Sequence, residues 1–445
     1  MIISRQLRTL GVPILAPFLV TGCGDADSGR PAGGSGGMDS PDFTIAPESR
    51  SLWTVGALDG EDWEIIGSVT DLVFSAAGDL FLLDGQAGHV VVFDREGRYL
   101  RTISRQGEGP GELVQPRSMA VLADGRLAVF DRGRNGIQFF TQEGDYLDSA
   151  PFDLEQGTPT RVNAWLPDGS IITDGEMQVT GTSRSMSIRS SVGGSGDETG
   201  RPIALYRPDG SRELLYTAWE PPPPTGDGAE AAGGGISLRM SPTRAFDPGL
   251  SFVALSDGRL AVVDSSGYRI KLIGEGSVVA GVLERPVTPI AVTESVQDAE
   301  RERQLAALEG GQNRVSFSFG GALPAGVSLP DNLGDQINAA RKTGIEQMTF
   351  ADVIPAIDEL AVDAEGRLWV ERSGLPSEDG PIDIVTPDAR YLGTIQPGGL
   401  RIPDAFGPDG LLAYSDTAEL GFPIVRVVQL VPAAALEAGD STTDR

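Results

Sequence analysis

An acidic residue recurs at one place in a repeating pattern: Asp84, Asp131, Asp174, Asp264 and Asp416, with Glu371 in the corresponding place of a further repeat. Each follows a short apolar run, of which LFLLD at residues 80–84 and LAVFD at 127–131 are the clearest. Carboxylates repeated in this way have two uses. Brought to one rim, they would supply the several hard oxygen ligands that a cation such as Ca2+ takes. Left apart, each would accept hydrogen bonds from the turn that follows its strand, the ordinary role of an aspartate in that position.

Arginines gather in the same loops, among them Arg105, Arg132, Arg134, Arg184, Arg189, Arg239, Arg244 and Arg372. A planar guanidinium pairs bidentately with a carboxylate, so Arg132, Arg134, Arg239 and Arg372 are candidates for binding an anionic ligand, or for neutralising neighbouring acids. Trp219 lies in an insertion and would stack on a sugar ring, whereas Trp165 and Trp369 read as packing between neighbouring sheets. Histidine occurs once, at His89, and cysteine once, at Cys23. That excludes an intramolecular disulfide, a Cys/His zinc cluster and any mechanism needing two histidines. A formal charge of −28 argues against a nucleic-acid groove or a general affinity for anionic lipid.

The elements that position these residues are short strands. Residues 72–113 break into four apolar runs, 72–74, 80–83, 90–93 and 99–103, separated by glycine turns, which predicts a four-stranded antiparallel sheet. The first hairpin of that unit recurs at Gly78, Gly125, Gly169, Gly258, Gly366 and Gly410, giving six blades of a propeller. A second turn follows at Gly97, Gly144 and Gly210, and TPDARYL places Ala389 where the fifth blade would have glycine. The last repeat, residues 402–431, supplies only three strands. A strand over residues 51–58 is expected to complete it and close the ring. Long insertions fall at residues 175–200, 219–248 and 284–354, all on one face of the disc, and binding residues concentrate on such loops. The first is Ser/Gly/Arg-rich and reads as mobile; the second joins a stiff spacer, EPPPP at residues 220–224, to a slack Gly/Ala run; the third holds two helix candidates, from Thr293 to Leu308 and from Leu333 to Met348. The domain plan is thus an all-β six-bladed propeller over residues 50–432, carrying a partly helical insertion at 284–349, with a disordered tail at 433–445.

At the N-terminus, Arg5 and Arg8 precede an apolar run interrupted by Pro13 and Pro17, which reads as a signal peptide over residues 1–22. It ends LVTGC, which resembles a bacterial lipobox and implies lipidation at Cys23 and an envelope location. Residues 23–49 are rich in Gly, Ser, Asp and Pro and are expected to form a flexible tether.

The repeats resemble those of bacterial six-bladed propellers related to NHL-repeat and TolB-like proteins. GEGPGEL at residues 107–113 is similar to the GxGPGE(F/L) connection between blades in that family, and RNGIQF at 134–139 echoes the NHL third strand. The resemblance implies the fold; an anchor, a tether, a rigid disc and long loops on one side together point to a binding or scaffold module for a protein, peptide or glycan. The alternative it carries is a calcium-dependent lactonase or esterase, whose ligand set has no residue-by-residue match here. Propeller lyases built on several histidines are disfavoured by the single one.

Overall fold

The fold follows from strands that alternate with glycine turns. It was obtained as a computed structural model that describes residues 36–182, 185–192, 200–224, 230–233, 236–239, 244–310 and 333–431. The signal peptide, Cys23 and the tail at 433–445 lie outside the described residues.

Six sheets form the blades, each built on four antiparallel strands, and the sheet of blade five gains two further short strands. Blade one is Val69–Phe74, Leu80–Asp84, His89–Phe93 and Tyr99–Ile103; blade two is Pro116–Val121, Leu127–Asp131, Gly136–Phe140 and Tyr146–Pro151. Blade three comprises Ala164–Trp165, Ile171–Thr173, Arg201–Tyr206 and Arg212–Ala218, and blade four Ser251–Ala254, Leu260–Val263, Arg269–Gly274 and Val278–Glu284. Blade five is Ile357–Val362, Leu368–Arg372, Ile382–Val385 and Arg390–Ile395. Blade six takes Ala405–Phe406, Leu411–Thr417 and Pro423–Leu430 from the C-terminal part and its fourth strand, Ser49–Val55, from the N-terminal part. The closing strand is therefore the one expected, shifted by two residues at its start.

The burial of each strand follows its place in the blade. Second strands are sandwiched by neighbouring blades and buried on both faces, as in Leu80–Asp84 and Leu127–Asp131, whereas the outer strand Tyr99–Ile103 is largely exposed. This explains why the second strands read as unbroken apolar runs rather than as an alternation. Each of the six blade-to-blade interfaces is filled by an apolar cluster. One joins Phe81, Leu83 and Val92 of blade one to Leu127, Val129 and Phe140 of blade two. Another joins Val55, Phe74 and Phe93 to Leu411 and Val427 across the closure. Trp369 is buried, its ring 5.2 Å from Phe406 of blade six, and the indole N–H of Trp165 donates to Ser118 Oγ of blade two at 2.9 Å.

Three expectations are corrected. The tether does not run to residue 49: from Gly36 the chain lies on the outer edge of blade five. Gly36–Gly37 and Thr44–Ile45 pair there with Arg390–Ile395, while Phe43 and Ile45 pack against the blade. Polar composition hid two apolar anchors placed to cover an otherwise open sheet edge. The insertion at 175–200, expected to be a mobile loop, holds a long hairpin of Gly175–Thr182 and Ser185–Val192, joined at its root by Thr158–Pro159. In the second insertion Glu230–Gly233 and Ile236–Arg239 likewise pair. The third insertion carries the two expected helices, α1 (Glu294–Glu309) and α2 (Leu333–Glu346), and its apolar alternation at 315–319 lies outside the described residues.

All six first-hairpin glycines take positive φ, from 75° at Gly410 to 92° at Gly78. Ala389 does the same without glycine's freedom, at φ 68°. A Cβ in that conformation is costly, so Ala389→Gly is expected to stabilise the protein by about 0.5–1 kcal/mol after the larger chain entropy of glycine is offset. A higher urea midpoint checks this, and a lower one contradicts it.

Candidate binding face between blades four and five

The repeated aspartates stand at the ends of second strands, where the chain must turn, and each is taken up by donors close at hand. Asp84 accepts from the backbone N–H groups of Gly67 (2.7 Å), Ser68 (3.2 Å), Gln86 (2.9 Å) and Ala87 (3.0 Å). Asp131 does the same for Val114, Gln115 and Gly133. These two carboxylates cap their own turn and fasten the incoming inter-blade connection. Asp174 forms a bidentate pair with Arg161, and Asp264 accepts from Lys271 Nζ and the Trp219 N–H. Asp416 joins Arg401 and Arg426. The five are not brought together, and no group of three or more His, Cys, Asp or Glu is placed to hold a metal ion among the described residues.

The candidate ligand-binding residues are also dispersed. Arg134 is committed to the GEGPGEL connection, donating to the carbonyls of Glu112 (2.9 Å) and Gly109 (2.6 Å), while Glu112 accepts from the Gly109 N–H. Arg132 beside it is exposed. Trp219 is 48% exposed, at the start of the second insertion. Arg239 falls in the strand Ile236–Arg239 of that insertion. Arg372 alone joins a second arginine, Arg285, which the sequence reading passed over. His89 is half-buried, and desolvation lowers its pKa against the opposing pull of Asp84.

A different constellation lies between blades four and five, on the face that carries the insertions. A cavity of about 640 Å3 opens there. Its walls come from the connection into blade four (Phe246, Asp247), the end of that blade's second strand (Ser265), α1 (Glu300, Arg303) and the 373–379 loop of blade five. The insertion is rooted rigidly beside it. Ile290–Ala291 pairs with Val353–Ile354 across its neck, and Arg244–Ala245 pairs with Thr349–Phe350. Two short ladders at the base of a helical segment fix α1 over the blades.

The cavity is acidic. Asp247 is paired with Arg244, and Glu300 forms a bidentate pair with Arg303 at 2.7 Å. Asp358, Glu378 and Asp379 also line it, and none of the three forms an ion pair among the described residues. Behind them Glu371 stands directly across the strand pair from Glu359, a placement that opposes like charges. Burial, then the charges of Asp358, Glu359 and Asp379, push the Glu371 carboxyl up to about 7. Glu359 is raised as well, by burial and then by Asp358. Little in the sequence marked this cluster, because its members come from the first strand, the second strand and a loop of one blade.

The raised Glu371 makes stability depend on pH in a stated direction. The group titrates near its ordinary 4.5 in the unfolded chain and near 7 in the fold. The native state therefore binds the proton more tightly between those values, and its stability falls as pH rises through them. Glu371→Gln removes that loss. Urea denaturation at about pH 5 and about pH 8 is expected to show the variant gaining on the wild-type protein at the higher pH. An equal difference at both pH values contradicts the assignment.

Comparison with known proteins agrees with the architecture. The model of the DUF5128 family, described as a 6-bladed beta-propeller, matches residues 57–165, which hold blades one and two and the first strand of blade three. No match was found among curated proteins. Among solved structures, a member of the duf4221 family from Bacteroides vulgatus is 11% identical, with 87% of this chain and 99% of that one covered at a TM-score of 0.47. Virginiamycin B lyase from Staphylococcus aureus is 11% identical, with 82% and 95% covered at a TM-score of 0.37. Similarities of this order carry nothing about activity. The chain is a six-bladed β-propeller, with its insertions gathered on one face.

Proposed function

We propose that this protein is a binding or scaffold module of the cell envelope, held by a lipid on Cys23, that recognises a protein, peptide or glycan through its insertion-bearing face. The observation that carries the reading is the acidic cavity between blades four and five. Its volume falls within the roughly 300–1,000 Å3 of ligand sites, and a helix of the largest insertion forms part of its wall. Arg303 and Arg244 are taken up by Glu300 and Asp247, which leaves Asp358, Glu378 and Asp379 without an ion pair among the described residues; such carboxylates favour a positively charged group, which would offset part of the burial and repulsion that raise Glu371. The ligand feature assigned to the cavity is therefore a lysine, an arginine or another amine. Among the described residues no helix is long and apolar enough to cross a membrane, so the lipid is the anchor this reading relies on.

A hydrolytic reading has one observation in its favour: a carboxyl near pH 7 beside a cavity is suited to general acid or base work. In its calcium-dependent form it needs a ligand set other than the five repeated aspartates, which stand apart and each accept from at least one nearby N–H donor.

Titration with tri-lysine and with spermidine, followed by calorimetry, tests the proposal, with tri-glutamate as the control. Asp358→Asn combined with Asp379→Asn is expected to weaken binding of the cationic probes by about tenfold or more, equivalent to about 1.4 kcal/mol. Equal affinity in the variant, or equal binding of tri-glutamate, contradicts it.

A further inference from the structure

A second constellation lies at the outer side of the same pair of blades, and it has the opposite charge. Arg285 follows the last strand of blade four, Arg372 ends the second strand of blade five, and Asp383 lies in the third strand of that blade. The Arg285 and Asp383 side chains are 1% and 0% exposed, and that of Arg372 is 12% exposed. Arg285 Nε lies 3.2 Å from Asp383 Oδ2, and Arg372 Nη2 lies 3.5 Å from Asp383 Oδ1. Asp383 Oδ1 also accepts from the Thr394 hydroxyl at 2.5 Å, and the Arg285 guanidinium stacks 3.5 Å above the Tyr391 ring. Two buried guanidinium groups thus face one carboxylate from the blades. The disc by itself leaves one positive charge uncompensated, and a buried unpaired charge is costly.

The missing negative charge comes from the N-terminal arm. Asp42 Oδ1 accepts from Arg285 Nη2 at 2.6 Å, and its Oδ2 lies 2.8 Å from Arg372 Nη1, so one carboxylate bridges both arginines. Burial, which alone would raise the Asp42 pKa, is outweighed by Arg372 and Arg285, and the carboxyl is held below its ordinary value. Around it opens a hollow of about 430 Å3, lined by Asp39 and Ser40 of the arm and by Pro286 and Thr288. The Asp42 side chain is 43% exposed while those of Arg285 and Arg372, which also line the hollow, are 1% and 12% exposed, so solvent reaches the arginines chiefly past the carboxylate. The arm is also held by two short strand pairings, by Phe43 and Ile45 against the blade, by the Phe43 N–H donating to the Tyr391 hydroxyl at 3.1 Å, and by long donations from Arg285 to the carbonyls of Ser40 (3.4 Å) and Met38 (3.5 Å).

We propose that Arg285 and Arg372 form a carboxylate-binding site that Asp42 fills as an internal ligand, and that an extended peptide bearing an Asp or Glu takes its place. The incoming strand would pair with the edge of Arg390–Ile395 that the arm vacates, adding its backbone to the sheet as the arm does now. The site is separate from the acidic cavity and independent of the function proposed for it. It also gives the arm a role that the expectation of a tether did not, as a strap that carries the carboxylate bridging the two arginines.

A labelled peptide copying residues 38–46 provides the probe, read by fluorescence polarisation against the full chain. Asp42→Ala is expected to bind it about tenfold more tightly than the wild-type protein, because the internal competitor is gone. The same peptide with asparagine in place of its aspartate is expected to lose that gain, as is the chain carrying both Asp42→Ala and Arg372→Gln. Equal binding of the aspartate and asparagine peptides, or no gain in Asp42→Ala, overturns the proposal, and so does competition by sulfate as strong as that by succinate. If Asp42→Ala does not fold, hydrogen exchange of the wild-type arm decides. Excess aspartate peptide is expected to speed exchange at residues 38–45, and an unchanged rate overturns the proposal.

Discussion

The structure depends on one strand pairing. Ser49–Val55 runs antiparallel to Pro423–Leu430, and without it blade six has three strands and an open edge. The same strand carries Trp53, whose ring lies 5.6 Å from Phe93 of blade one and whose indole N–H donates to the Arg95 carbonyl at 3.1 Å. The fit is close: a side chain at Gly97 would meet the Trp53 ring at 2.5 Å. One segment is thus hydrogen-bonded to the last blade and packed on the first. In a ring each blade is held by both neighbours, so releasing one joint loosens every interface, including the one that bears the cavity.

The charge balance of the chain shows in how its acids are used. Some are spent on geometry, as Asp84 and Asp131 are when each gathers several backbone N–H groups around a turn. Others crowd one another between blades four and five, where Glu371 is pushed up. The arginines are mostly committed, Arg134 to a connection, Arg161 and Arg212 to buried acids, and Arg285 with Arg372 to the arm. Two neighbouring sites of opposite sign follow from this partition. One offers three carboxylates that form no ion pair among the described residues; the other offers guanidinium groups whose exchangeable partner is a single half-exposed aspartate.

The architecture was legible because it is written in local signals. The hairpin glycines need positive φ, which few other residues adopt cheaply, so their recurrence marked the six blades; Ala389 shows that the turn survives the loss of that signal. The helices of the large insertion were legible from their caps and from the glycines that end the first. The sites were not, because they depend on residues far apart in sequence. Asp383 looks like one polar residue in an apolar strand, and Asp42 sits among the Gly, Ser and Pro that suggested a tether. Only the fold brings them together, with 340 residues between. The repeated aspartates misdirect in the opposite way, since a conspicuous pattern there reflects a repeated turn rather than a shared site.

The most direct test of the account is to delete residues 49–55 and follow urea unfolding by both fluorescence and circular dichroism. Closure of the ring by this strand predicts that the single cooperative transition is lost, with the two probes no longer coinciding. A single transition with the midpoint and slope of the intact chain would contradict it.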